Sequence, residues 1–159
     1  MAIELLLRDV VDDDLPIFFA HQQDPVANYM AAFTAKDPAD LEAFHKHWAK
    51  IRADESILIK TILYNGQVAG SVTTFVQFGE REVSYWLGRE FWGKGIATQA
   101  LTEFLRYVDE RPLYARAAKD NIASIRVLQK CGFVIVGEDK GFANARGQEI
   151  EEYILELSA

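Results

Sequence analysis

Apolar and polar positions repeat with two different periods along the chain, and the changes of period mark its elements. Residues 3–8 form a short apolar run that predicts a strand. Asp12-Asp13-Asp14 precedes Leu15-Pro16-Ile17-Phe18-Phe19, and carboxylates there favour the positive end of a helix. A shared phosphate or metal ligand is the weaker reading, because adjacent residues diverge around a helix. Asp24-Pro25 and Asp37-Pro38 punctuate the next stretch, and residues 40–52 read as a second helix. Residues 56–63 and 67–76 are rich in Ile, Val and Thr, with Asn65-Gly66 between them. Asn-Gly suits the positive φ angles of a type I′ turn, so the two runs predict an antiparallel hairpin.

A further alternating strand spans 82–87 and leads into a glycine-containing turn. Ile96, Ala97, Ala100, Leu101, Phe104, Leu105 and Val108 then recur at helical spacing. Residues 113–118 predict a strand. Asn121 caps a helix that carries Ile122, Ile125 and Leu128 inward and stops at Gly132. Residues 133–136 and 150–157 supply two last strands. No linker, repeat or low-complexity segment interrupts this order, so the expectation is a single α/β domain over residues 1–159.

The chain has 159 residues, enough for one domain that buries roughly two thirds of its unfolded surface. A formal net charge of −7 argues against nucleic acid as the main partner, since phosphate binding needs a basic face. No apolar run approaches the ~18–20 residues that span a bilayer, and Met1-Ala2-Ile3-Glu4-Leu5 lacks the basic flank and apolar core of a secretory signal. The single cysteine, Cys131, excludes an intrachain disulfide framework and suits a reducing compartment. A cytoplasmic protein without membrane contact is expected.

The turn Trp92-Gly93-Lys94-Gly95-Ile96-Ala97-Thr98 carries the most chemical information. Glycines at 93 and 95 leave the backbone open where a helix begins, and the first amides of a helix lack intrahelical partners. A pyrophosphate fits such a place, and Lys94 adds a positive charge. The dinucleotide fingerprint needs a third glycine where Thr98 stands. The P-loop needs Ser or Thr after Gly-Lys, where Gly95 stands.

Three stretches together resemble the GNAT acetyltransferase superfamily, in its RimJ/RimL-like, ribosomal-protein alanine acetyltransferase branch: EVSYWLG at 82–88, FWGKGIAT at 91–98 and NIASIRVLQKCGF at 121–133. Leu7-Arg8 and Asp24-Pro25-Val26 are also similar, so the resemblance covers nearly the whole chain. It implies a mixed, mostly antiparallel sheet flanked by helices, splayed where acetyl-coenzyme A enters between strands 82–87 and 113–118. It implies that the turn binds the pyrophosphate through backbone amides. Tyr85, Trp86 and Leu87 would pair with the pantetheine arm, and Asn121 would touch the cofactor while capping its helix. Trp92 stands where the superfamily has Gln or Arg, so a side-chain contact to phosphate does not carry over. Leu128 stands where many members have the tyrosine that protonates the leaving thiolate, and Ser124 is the substitute suggested by RimL-like enzymes.

The implied reaction is direct attack of a neutral amine on the thioester, with no metal. Glu82 matches the superfamily's frequent general-base glutamate; its plainer reading is a strand-start residue facing solvent or pairing with Arg81 or Arg89. The acceptor would lie between the N-terminal helices and the loop around Gly141 to Gly147. A protein N-terminal amine, a polyamine and an aminoglycoside-like antibiotic all fit, and monomer and homodimer both remain open. A non-catalytic acyl-coenzyme A sensing or interaction module is the alternative, and a nucleotide-binding regulatory domain fails on motif spacing. His45 and His47 lie two apart and diverge on their helix. His21 reads as a surface histidine ahead of one lining an acceptor pocket, Cys131 as a buried structural thiol, and Trp48 with Trp86 and Tyr85 as core aromatics or an acceptor wall.

Overall fold

A computed structural model describes residues 4–159, and Met1–Ile3, with the start of the first expected strand, lie outside it. The elements run β1 (Leu5–Asp9), α1 (Leu15–Gln22), α2 (Pro25–Ala31), α3 (Leu41–Ala53), β2 (Leu58–Tyr64), β3 (Gln67–Gln77) and β4 (Glu80–Leu87). They continue with α4 (Ile96–Leu105), β5 (Leu113–Ala118), α5 (Ile122–Lys130), β6 (Val134–Ala143) and β7 (Gln148–Leu157). The strands form one seven-stranded sheet in the order β1-β2-β3-β4-β5-β7-β6. Every neighbouring pair is antiparallel except β4 and β5. This is the mixed, mostly antiparallel α+β sheet expected. Among the described residues no helix is long and apolar enough to cross a membrane.

Turn chemistry sets the registers of β2 to β4. Asn65 and Gly66 take φ of 50° and 81° between β2 and β3, and Phe78 and Gly79 take 54° and 76° between β3 and β4. Two consecutive positive φ angles match the strands' right-handed twist. The main core lies between the sheet and α4 with α5, around Phe104, Leu101, Ile96, Leu113, Phe133 and Leu155. On the opposite face Leu15, Phe18, Phe44 and Trp48 clamp α1 and α3, with the rings of Phe18 and Trp48 stacked at 5.0 Å.

Several elements differ from expectation, each for a local reason. Asp24-Pro25 does more than punctuate: Asp24 accepts from the Val26 amide and Pro25 occupies the first turn of α2. β6 runs ten residues because the charged stretch Glu138-Asp139-Lys140 pairs with β7, so Gly141 belongs to a strand and only residues 144–147 form the turn. α4 ends at Leu105 and tightens into three-residue bonds that still bury Val108. Ile122, in the first turn of α5, is exposed rather than inward.

The aspartate run also resolves differently. Residues 12–14 form a 3-10 turn, and Asp14 makes no side-chain cap for α1. Its buried carboxylate instead accepts two bonds from the Arg8 guanidinium at 2.8 Å, one from Thr61 Oγ1 at 2.7 Å and one from the Val11 amide at 3.0 Å. Burial alone would push Asp14 up, but Arg8, Val11 and Thr61 together hold it below the usual carboxylate range. A depressed folded pKa gives stability that is complete above the unfolded value and lost as pH falls through the folded one. Asp14→Asn should therefore lower unfolding free energy by about 2 kcal/mol at pH 7, and by progressively less below about pH 4, in urea melts across that range.

Candidate active site

The parallel pair β4–β5 meets at one register position, Glu82 opposite Tyr114. Past it β4 continues to Leu87 while β5 pairs along its length with β7, so the two strands diverge. The wedge they leave opens into a cavity of about 910 Å³. Along its walls lie Glu82, Tyr85, Trp86, Leu87, Asn121 and Ser124, together with Trp92, Gly93, Gly95, Ile96, Ala97 and Thr98. Of the residues that the resemblance assigns to cofactor or catalysis, Lys94 alone is absent from these walls; its ammonium lies 5.9 Å from the centre of the Tyr64 ring.

The turn into α4 is built for an open helix start. Gly93 and Gly95 take φ of 75° and 76°, and Gly95 is the N-cap residue of α4 in the left-handed region. No side chain caps α4, and its first backbone bond runs from the Gln99 amide to the Gly95 carbonyl. The amides of Ile96, Ala97 and Thr98 thus have no intrahelical partner, and the dipole adds positive potential there. Trp92 folds its indole back, and Nε1 donates to the Leu87 carbonyl at 3.1 Å, tying the turn to the end of β4.

α5 forms the opposite wall. Asn121 Oδ1 accepts from the Ser124 amide at 3.3 Å, the expected cap, while its Nδ2 donates to the Met30 carbonyl at 3.2 Å and links α5 to α2. The Tyr85 hydroxyl donates to Ser124 Oγ at 3.1 Å. Burial pushes the Tyr85 phenol above its ordinary value. Leu128 is 3% exposed and packs in the main core, so no hydroxyl projects from that place. Cys131 is half-buried beside Thr98 and Thr102, and burial raises its thiol, which makes it a poor nucleophile.

Glu82 points to the other face of the sheet, with Ser84 and Trp86. Neither Arg81 nor Arg89 pairs with it: Arg81 binds Glu110 and the Ser56 carbonyl, and Arg89 binds Asp24. Its partner is Arg116 on β5, whose Nε lies 3.4 Å from Glu82 Oε2 without hydrogen-bond geometry. Arg116 spends its hydrogen bonds on Asp139 at 2.9 Å and Glu152 at 2.8 Å. Among the described residues no hydrogen bond reaches the Glu82 carboxylate, whose side chain is 5% exposed. Burial raises its pKa, and the nearby Arg116 charge only partly opposes that. Arg116, Asp139 and Glu152 escaped the sequence reading because they lie on three strands. The one available signal was an arginine alternating with alanines at 115–118.

Phe33, Phe75, Phe78 and Gly141 also line the cavity, where the sequence reading expected the acceptor. The 144–147 turn is pinned to its neighbours: Arg146 makes two bonds to Asp120 and one to the Tyr29 carbonyl. His21 is half-buried instead of a surface residue. It lines a separate cavity of about 170 Å³ with His47, Trp48 and Trp86, and burial lowers its pKa. Trp86 borders both cavities, whereas Trp48 belongs to the second core.

A profile described as the Acetyltransferase (GNAT) domain matches residues 4–134. The chain belongs to the GNAT acetyltransferase family. It is 30% identical over 83 residues to the uncharacterized N-acetyltransferase p20 of Bacillus licheniformis, a stretch spanning 50% of this chain and 47% of p20. The chain thus covers about half the length of that relative. The crystal structure of a ribosomal-protein-alanine N-acetyltransferase from Brucella melitensis superposes with a TM-score of 0.80 at 26% identity, over 97% of this chain and 99% of that one. Mycobacterium smegmatis RimJ in complex with CoA-disulfide shares the fold, with a TM-score of 0.83 at 20% identity over 98% of this chain and 82% of its own. The Brucella relative, at 26% identity, is consistent with a RimJ/RimL-like branch.

The Arg116 cluster has a measurable consequence. Arg116→Met would leave Glu82 and Glu152 buried without their cation and raise the folded pKa of Glu82 further. A carboxyl with a raised folded pKa loses stability as pH rises through its titration. The variant should unfold about 3 kcal/mol more easily than the parent at pH 7, and this gap should narrow toward pH 5, by chemical denaturation at both values.

Proposed function

We propose that this chain is an acetyl-coenzyme A-dependent N-acetyltransferase acting on a primary amine by direct attack on the thioester. The observation that carries the reading is a single cavity shared by an uncapped helix start, the free length of β4 and two side chains suited to opposite proton transfers. The amides of 96–98 would take the pyrophosphate, with Gly93 and Gly95 letting it approach. The length of β4 past Glu82 would receive the pantetheine arm, since strand backbone without a strand partner offers donors and acceptors. Glu82 would take the amine's proton, directly or through water. Its raised pKa and free oxygens suit a base working near neutrality. Ser124 would give a proton to the departing sulfur. The RimJ and Brucella relatives, named for coenzyme A binding and for alanine N-acetylation, support the donor and the reaction class.

The acceptor chamber holds three carboxylates, Glu82, Asp139 and Glu152, against two cationic residues, Arg116 and Lys140. That balance favours amines carrying further positive charge, whether at a protein N-terminus, on a polyamine or on an aminoglycoside-like antibiotic. Buried Leu128, with no hydroxyl at its place, is the observation behind the alternative of a non-catalytic acyl-coenzyme A sensor.

Thiol release from acetyl-coenzyme A across an amine panel separates the two readings: release with a cationic amine is expected, and tight coenzyme A binding without release by any amine favours the sensor. Glu82→Gln should lower kcat about 100-fold, most at low pH where fewer amines are neutral. Overlaying pH–rate profiles for variant and parent would remove Glu82 as the base. Val at position 93 or 95 meets a φ that L side chains rarely adopt. Gly93→Val and Gly95→Val should each weaken coenzyme A binding about tenfold or more in calorimetry while the chain still folds.

A further inference from the structure

The position that would hold a tyrosine acid is filled by Leu128, yet a tyrosine hydroxyl still reaches the cleft from another element. Side chains alternate along β4: Glu82, Ser84 and Trp86 face the acceptor side, while Val83 and Leu87 enter the main core and Tyr85 packs against it. Tyr85 therefore passes beneath the strand and meets the first turn of α5 across the wedge, at Ser124 Oγ. We propose that Tyr85 is the positioning residue of the acid side of this site, orienting the Ser124 hydroxyl and returning the proton that Ser124 gives to the coenzyme A sulfur. This rests on the acetyltransferase reading and deepens it.

Three observations support the pairing. Ser124 Oγ accepts from Tyr85, so its own proton is directed elsewhere, and its walls are those of the cavity. The backbone of Ser124 is held by Asn121, so the hydroxyl leaves a rigid first turn where the helix dipole stabilises negative charge. An alcohol holds its proton far more tightly than a thiol and is poorly matched to the leaving group alone. A phenol ordinarily holds its proton less tightly than an alcohol, and the Ser124 hydrogen bond opposes part of the rise that burial imposes on Tyr85. Cys131, about two turns further along, is occupied by Thr98 and Thr102 and offers no competing acid.

The step balances without a further reagent. The amine nitrogen bonds to the carbonyl carbon, the C–S bond breaks with its electron pair on sulfur, and the sulfur takes the Ser124 proton. Ser124 takes the Tyr85 proton, water reprotonates the tyrosinate, and the amine proton held by Glu82 leaves to solvent.

The test uses the full chain with acetyl-coenzyme A and the best amine of the panel, comparing parent, Tyr85→Phe, Ser124→Ala and the double variant. Tyr85→Phe keeps the ring and should lower kcat about tenfold with the KM for acetyl-coenzyme A within twofold of the parent. Ser124→Ala should lower kcat about 100-fold, and the double variant should match Ser124→Ala alone, because one relay is broken once. A Tyr85→Phe loss confined to KM, full kcat in Tyr85→Phe, or losses that multiply in the double variant would each overturn the relay and leave the acetyltransferase reading standing. Full kcat in Ser124→Ala overturns the relay without recourse to Tyr85. A parent that releases no thiol with any amine overturns the acetyltransferase reading and the relay with it.

Discussion

One pairing governs the molecule: β4 and β5 touch at Glu82 and Tyr114 and then part. A sheet satisfies its backbone by continuous pairing, so a strand that loses its neighbour must meet solvent, side chains or a ligand. Here β5 follows β7, and β4 runs on toward the turn that starts α4. The free strand length and the uncapped helix start therefore adjoin, one offering backbone groups and the other bare amides. An elongated donor with a phosphate end and a thioester end fits both demands.

The wedge is kept open by contacts that cross it rather than by any single buried cluster. Tyr85 spans from β4 to α5, Asn121 from α5 to α2, and Arg146 ties the last turn to α2 and to Asp120. Beneath the acceptor side, Arg116 holds three carboxylates on three strands and leaves the Glu82 oxygens without a hydrogen bond. Burial then decides the chemistry. Glu82 is raised because it is dry and poorly paired, whereas Asp14, equally buried, is lowered because four donors converge on it. The first arrangement suits proton transfer and the second suits architecture.

Much of the fold was legible in the order of residues, because its signals are local. Asn65-Gly66 marked a hairpin, Gly93 and Gly95 marked an open helix start, and Asn121 marked a cap, each through φ preference or a bond to a neighbour three residues away. α2 was missed because Asp-Pro both breaks and begins helices. The length of β6 was missed because its charges are satisfied only by β7, which follows in sequence after a turn.

The sequence by itself therefore determined the donor side: the turn, the helix behind it and the strand before it are contiguous over 82–108, so their chemistry could be read in one pass. Tertiary structure alone decided the surroundings of Glu82 and Ser124, on which the proposed acceptor side and proton paths rest. Arg116 was chosen over Arg81 and Arg89 as the partner of Glu82, and Tyr85 was brought to Ser124 from 39 residues away. Those choices depend on which strands diverge and which faces their side chains take. Neither is encoded at short range, because the order of strands that no tight turn joins, such as β4, β5 and β7, arises from packing of the whole core.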